Sequence, residues 1–158
     1  MKLAIGSDKS GFSVKEAIKA YLSDASIECD DLGTVDLNEV HPYYRVAGDV
    51  APKVADGTYE KAILICGTGA GMSVVANKFK GVHAVACESL YAAKMARAIN
   101  NANVLCMGGW IVGPEMAIEM VRMFLATDWC QDLEDWRAVN MHKFAAEVQA
   151  IEDRIYGA

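Results

Sequence analysis

No apolar run in this chain comes near the roughly 20 residues of a membrane-spanning helix, so no membrane partner is expected. An excess of positive charge is missing too. Fifteen Lys and Arg stand against 21 Asp and Glu, a formal net charge of −6, which is the wrong balance for a nucleic acid or an anionic membrane surface. There is no C-x-x-C pair, and the five cysteines (29, 66, 87, 106 and 130) are scattered and odd in number. That argues against a disulfide framework or a cysteine zinc site and for free thiols in a reducing cytoplasm. His41, His83 and His142 lack any ligand spacing, so no metal is expected. Internal repeats, low-complexity segments and linkers are also absent. The first residues, Met1-Lys2-Leu3-Ala4-Ile5, lead into a strand rather than a signal peptide.

What is present is enough for one domain with a real core. The chain has 158 residues, 53% of them hydrophobic, which suits a fully buried sheet and a subunit interface. Its most informative stretch is Ala62-Ile63-Leu64-Ile65-Cys66-Gly67-Thr68-Gly69-Ala70-Gly71-Met72-Ser73. A continuous apolar run bounded by glycines reads as a strand buried on both faces, as in a parallel sheet. Glycines let the backbone turn sharply and approach a ligand closely. The Val74–Lys78 segment that follows reads as helix, so the amides of the turn form a seat for negative charge. Cys66 stands at the mouth of that seat, with the hydroxyls of Thr68 and Ser73 close in sequence.

Taken in order, Lys2–Gly6 reads as a strand followed by the polar loop Gly6–Gly11, which carries Asp8 and Lys9. Ser13 with Glu16 predicts a capping box, and the helix from Val14 to about Ala25 places Val14, Ile18, Tyr21 and Leu22 on one face. Ile27–Leu32 is a second strand and Thr34–His41 is irregular. Pro42 is expected at the first position of a helix running from Tyr43 to Asp56, with Pro52 an irregularity. Strand three ends at Cys66, Gly81–Ala86 is strand four, and Ser89 caps a helix to about Ile99. The cluster Asn100–Asn103 is a helix stop or a ligand contact. Val104–Gly108 is strand five, and a helix follows from about Pro114 to Ala126. The chain closes with an amphipathic helix near Phe144–Tyr156. Five regular β-α alternations imply a three-layer α/β sandwich with a five-stranded parallel sheet. The whole of 1–158 is then one domain, with residues from about 128 as a helical extension. Asp8, Cys66 and the asparagine cluster are expected at or near one end of the sheet.

These residues resemble the ribose-5-phosphate isomerase B / galactose-6-phosphate isomerase family. The resemblance is carried by Gly6-Ser7-Asp8 with Gly11-Phe12, by Asp31-Leu32-Gly33-Thr34, and by Cys66 to Ser73. It continues through Ala76-Asn77-Lys78, Gly81, Asn100 to Asn103, Gly108-Gly109 and Ile111-Val112-Gly113. It implies a Rossmann-like sheet and a cofactor-free aldose–ketose isomerase of small sugar phosphates. It also implies a homodimer or dimer of dimers with sites at the subunit interface. The reaction moves a proton between C1 and C2 through a cis-enediolate, which needs one base and donors for the developing charge. The resemblance makes Cys66 that base and gives Thr68 a part in ring opening. Asp8 and Asn100 match sugar-hydroxyl contacts. Lys9, His41, Gly67, Gly69, Ala70, Gly71 and Ser73 complete the expected binding set.

The departures are as informative. Lys9 stands where the family has histidine, and Val40-His41-Pro42 replaces Asp-Tyr-Pro. Ile99 stands where a ring-opening histidine is expected, and Trp110 replaces an arginine. The C-terminal arginine pattern that holds phosphate is not visible; Arg137, His142 and Lys143 lie in that region at another spacing. Three substrates stay open: a phosphorylated sugar held by other cations, a short sugar phosphate with no stable ring, and an unphosphorylated sugar. A non-catalytic sugar-binding subunit is the further alternative. Ile99 cannot transfer a proton, which favours substrates already open-chain.

Overall fold

The computed structural model describes residues 2–157. Its strands are β1 (Leu3–Ser7), β2 (Cys29–Asp31), β3 (Lys61–Cys66), β4 (Ala84–Ala86) and β5 (Val104–Gly108). The helices are α1 (Phe12–Asp24), α2 (Tyr43–Ala55), α3 (Ala70–Ala76), α4 (Leu90–Ala98), α5 (Pro114–Ala126) and α6 (Asp135–Tyr156). All pairings are parallel, in the order β2-β1-β3-β5-β4. The α/β sandwich expected from the alternation is the fold observed.

Side chains of a strand alternate between faces, and here that alternation builds two cores. Leu3, Ile5, Ile63, Ile65, Leu105 and Met107 point one way, against α1, α4 and α5. Ala4, Ala62, Leu64, Cys66, Val104 and Cys106 point the other way, against α2 and α3. Cys66 therefore faces the α3 side of the sheet.

Several local expectations are corrected. The capping box at Ser13 does not form: α1 begins at Phe12, with Gly11 as N-cap and no side-chain cap. The chain turns earlier because Asp8 Oδ1 accepts the amides of Ser10 (2.8 Å) and Gly11 (3.1 Å). Glu16 instead pairs with Lys15 and Lys19. Pro42 is the N-cap of α2 rather than its first residue, and Pro52 is accommodated inside a continuous helix. The last helix is longer than its apolar pattern indicates, starting at Asp135 instead of near Phe144.

The asparagine cluster is the correction that matters most. Asn103 donates its amide to the carbonyl of His83 (3.1 Å), and its own carbonyl accepts from Ala62 (2.9 Å). Ala62 and His83 lie at or just before the starts of β3 and β4, so Asn100–Asn103 sit at the amino end of the sheet, opposite Asp8 and Cys66. A loop that enters a parallel strand must lie at that end.

Lys15 is the other surprise, a lysine with 0% exposure. Its ammonium pairs with Asp31 and with Glu16 at 2.8 Å. Lys19 reaches the same Asp31 oxygen at 2.8 Å. The other oxygen of Asp31 accepts from Gly33 (3.0 Å), which ties this ionic knot to the turn after β2.

Candidate active site

Three connections converge at the carboxyl end of the sheet. β1 runs into Asp8, whose amide donates to the carbonyl of Ile65 (3.2 Å). β3 runs into Cys66, and β5 pairs Gly108 with it in register. Beyond that register the chains stay joined: Gly109 donates to the Cys66 carbonyl (2.7 Å) and Trp110 to the Gly67 carbonyl (3.0 Å). The turn after β2 closes the group, with Thr34 donating to the Ser7 carbonyl (2.8 Å).

Cys66 is 5% exposed, and its sulfur accepts the amide of Gly69 at 3.1 Å. Gly69 holds φ +80°, and a Cβ there would stand 2.8 Å from the Met107 carbonyl carbon. Both facts require glycine. Thr68 is exposed; its Oγ1 accepts from Ala70 (3.4 Å), so its proton is free to be donated. Ser73 Oγ donates to the Ala70 carbonyl (2.9 Å), which leaves its lone pairs for a ligand. The first-turn amides of α3 lack helical partners by construction. The loop thus offers one thiol, two hydroxyls and a set of backbone donors.

Asp8 is half-buried at the next connection, and that burial raises its carboxyl above the ordinary range, opposed by the Gly11 and Ser10 amides. Lys9 is exposed beside it. His41 is drawn to this end through Thr34, whose Oγ1 accepts the His41 amide (3.0 Å) and donates to its carbonyl (3.3 Å). The His41 Nδ1 and the Ser7 Oγ are both buried without a hydrogen-bond partner. Two such atoms are unusual in a protein interior.

Cys29, Cys87 and Cys106 are not alternatives to Cys66. Burial, helped by Asp31 and Asp30, pushes the Cys29 thiol up to about 12. Burial pushes Cys87 to about 11 and fully buried Cys106 well above its ordinary value. Among the described residues no group of three or more His, Cys, Asp or Glu converges as a metal centre would require.

Asp8, Lys9, Cys66, Gly67, Thr68, Gly69, Ala70, Gly71 and Ser73 thus share one end of the sheet, with His41 tied to it through its main chain. Asn100 does not join them. It lines a cavity of about 530 Å³ beneath α6, with His83, Ile99, Trp129 and Phe144. Sequence reading also missed two aromatic neighbours of the loop. The ring of Trp110 lies against Gly67 and the ring of Tyr43 against Gly71. The available signal was weak: two glycines in a loop that needs positive φ at only one of its three.

A family model described as Ribose/Galactose Isomerase matches residues 3–141. A 4-deoxy-4-sulfo-D-erythrose isomerase from Clostridium sp. (strain MSTE9) is 50% identical over 156 residues, 99% of this chain and 98% of that protein. A D-erythrulose-4-phosphate isomerase 2 from Mycolicibacterium smegmatis is 39% identical over 131 residues, 82% of this chain and 86% of that protein. Among solved structures, ribose-5-phosphate isomerase B of Clostridium thermocellum superposes with a TM-score of 0.85 at 34% identity. That match covers 98% of this chain and 99% of the other.

Proposed function

This chain belongs to the ribose/galactose isomerase family, and from that premise we propose that it isomerises an open-chain four-carbon sugar carrying a terminal anion, with Cys66 as the base. A sulfonate is the first choice of anion and a phosphate the second. One observation carries the choice. Identity to the sulfo-erythrose isomerase runs through 156 residues, and so includes the extension beyond residue 128. The match to the erythrulose-phosphate relative covers 131 residues.

The chemistry agrees with the side chains. A tetrose with sulfur or phosphate at its fourth carbon has no free hydroxyl there to close a furanose ring. Such a substrate needs no ring-opening acid, and Ile99 supplies none. Cys66, as thiolate, takes the proton from C2 while the electrons pass to the carbonyl oxygen. The loop amides and the Thr68 hydroxyl hold the resulting enediolate; the hydroxyl proton on O2 passes to O1, the electrons left on O2 form the new carbonyl, and the sulfur returns its proton to C1. Asp8 holds a sugar hydroxyl, and Lys9 is a point cation for the terminal anion.

Asn100 lies at the wrong end of its own sheet to help. In a homodimer it reaches the site of the second copy. α6 supports that assembly: none of its residues is buried, while Trp136, Val139, Phe144, Val148, Ile151 and Ile155 stay exposed. Such an apolar stripe is ordinarily covered. Sedimentation at micromolar concentration should show a dimer or larger, and a fully active monomer would remove the shared site. Five free thiols fit a cytoplasmic enzyme.

The deciding experiment compares kcat/KM across tetroses and pentoses bearing sulfonate, phosphate or neither, with deuterium exchange at C2 as a check for the enediolate. 4-Deoxy-4-sulfo-erythrose should exceed ribose 5-phosphate by about 100-fold, within the range that pocket contacts can supply. Ribose 5-phosphate as the best substrate would overturn the open-chain reading. An uncharged tetrose performing best would favour the second reading, a free sugar, to which the neutral Trp110 is suited.

A further inference from the structure

Gly67 and Gly71 bracket the loop after Cys66, and each has an aromatic ring where its own side chain would stand. A Cβ on Gly67 would meet Cζ3, Cε3 and Cη2 of Trp110 at 2.7, 2.8 and 2.8 Å. A Cβ on Gly71 would meet Cε2 and Cδ2 of Tyr43 at 2.8 and 2.9 Å. Neither glycine has a positive φ, so the backbone alone does not demand glycine at either position. The rings do.

Trp110 is anchored from its main chain, by the bond from its amide to the Gly67 carbonyl at 3.0 Å. The residue is nevertheless 74% exposed. One side of the ring rests on the residue next to Cys66. Trp110 also lines a hollow of about 290 Å³ with Ser10, Ser13, Gly109 and Gly113, between the starts of α1 and α5. Trp110 therefore stands between the cysteine loop, on which its ring rests, and a space large enough for further carbons and their hydroxyls.

We propose that Trp110 is the specificity-determining wall of this site: seated on Gly67, it closes the Cys66 loop off from the hollow between α1 and α5 and so limits the substrate to four carbons. The inference rests on the four-carbon reading above and names the residue that enforces it. A rigid neutral ring acts in two ways. It takes the volume that a fifth carbon with its hydroxyl would need, and discrimination of that kind is worth about 10- to 200-fold for a carbon-sized group. It also brings no charge, so a dianionic phosphate gains nothing from it, whereas a singly charged sulfonate has less charge to be neutralised. Gly67 belongs to the same device, because only a residue without Cβ lets the indole come so close.

The test uses binding, which needs no turnover. Reduced probes that cannot isomerise are titrated calorimetrically: 4-deoxy-4-sulfo-erythritol, erythritol 4-phosphate and ribitol 5-phosphate. The proteins are wild type, Trp110→Ala and Gly67→Ala, each checked for folding by its thermal transition. Wild type should bind the four-carbon sulfonate about tenfold or more above ribitol 5-phosphate. Trp110→Ala should narrow that ratio to about threefold, chiefly by a gain on the five-carbon probe. Gly67→Ala, which pushes the ring aside without removing it, should move the ratio the same way. An equal loss on every probe, an unchanged ratio, or no selectivity in wild type would each overturn the proposal. Erythritol 4-phosphate separates length from charge: if it binds as poorly as the five-carbon probe, the wall reads charge and the length limit is wrong. Absence of turnover on any tetrose would sink the four-carbon activity while leaving these ratios readable.

Discussion

Cys66→Ala should lower kcat by between about 10² and 10⁴, the usual span for losing a general base, while the protein stays folded. The sulfur sits at the last position of β3, held by the amide of Gly69 at 3.1 Å, and the substitution removes only that sulfur. The backbone bonds that shape that loop, Gly109 to Cys66 and Trp110 to Gly67, do not involve the side chain. Neither neighbouring hydroxyl can take over. Ser73 has its proton committed to the Ala70 carbonyl, and a serine hydroxyl is far less acidic than a thiol. Cys29, Cys87 and Cys106 are kept as thiols by their burial. The measurement is steady-state turnover together with C2 proton exchange on a variant with a normal thermal transition. Near-normal turnover in such a protein would mean that another group is the base.

The largest expected effect on stability is at Asp31. Its carboxylate takes buried Lys15 and half-buried Lys19 on one oxygen and the Gly33 amide on the other. Asp31→Asn leaves the Lys15 ammonium, with 0% exposure, with the half-exposed Glu16 as its remaining carboxylate partner and the Phe12 ring beside it. Stranding one member of a buried ion pair costs about 3–5 kcal/mol. For a domain of this size that lowers Tm by about 10 °C. The pH dependence has a definite sign. Burial alone would raise the Asp31 carboxyl, but hydrogen bonds from Lys15, Lys19 and Gly33 outweigh it and hold it below its ordinary 3.8. Its stabilising contribution is therefore present above pH 3.8 and is lost as pH falls through the lower folded value. Thermal melts across pH 2–6 should show that acid loss in wild type and a flatter profile in Asp31→Asn. Matching profiles would show that the pair contributes little. Because Gly33 leads through Thr34 to Ser7 and His41, the same variant should also loosen the loops around Cys66.

Much of this was legible in the chain itself. Apolar runs ending in glycine located β1, β3 and β5 and put Asp8 and Cys66 at strand ends, because strand period and the turn after a strand are local properties. The beginnings of helices were less legible. Ser13 and Glu16 form a capping pattern on paper, yet Asp8 takes the amides of Ser10 and Gly11 first and starts α1 earlier. Lys15 carried a readable signal, since its spacing puts it on the face of Ile18 and Leu22. Its burial still depended on Asp31 arriving from another strand.

The sequence by itself determined the α/β sandwich, the parallel sheet and the cysteine–glycine loop, because each follows from residue period and backbone freedom over a few neighbours. Only the tertiary structure decided that Asn100 lies at the opposite end from Cys66, that Trp110 rests on Gly67, and that Lys15 is enclosed. Those facts are set by which strands pair and in what order, β2-β1-β3-β5-β4, and by side chains meeting across gaps of tens of residues. No local pattern encodes a contact whose partner is brought in by the fold.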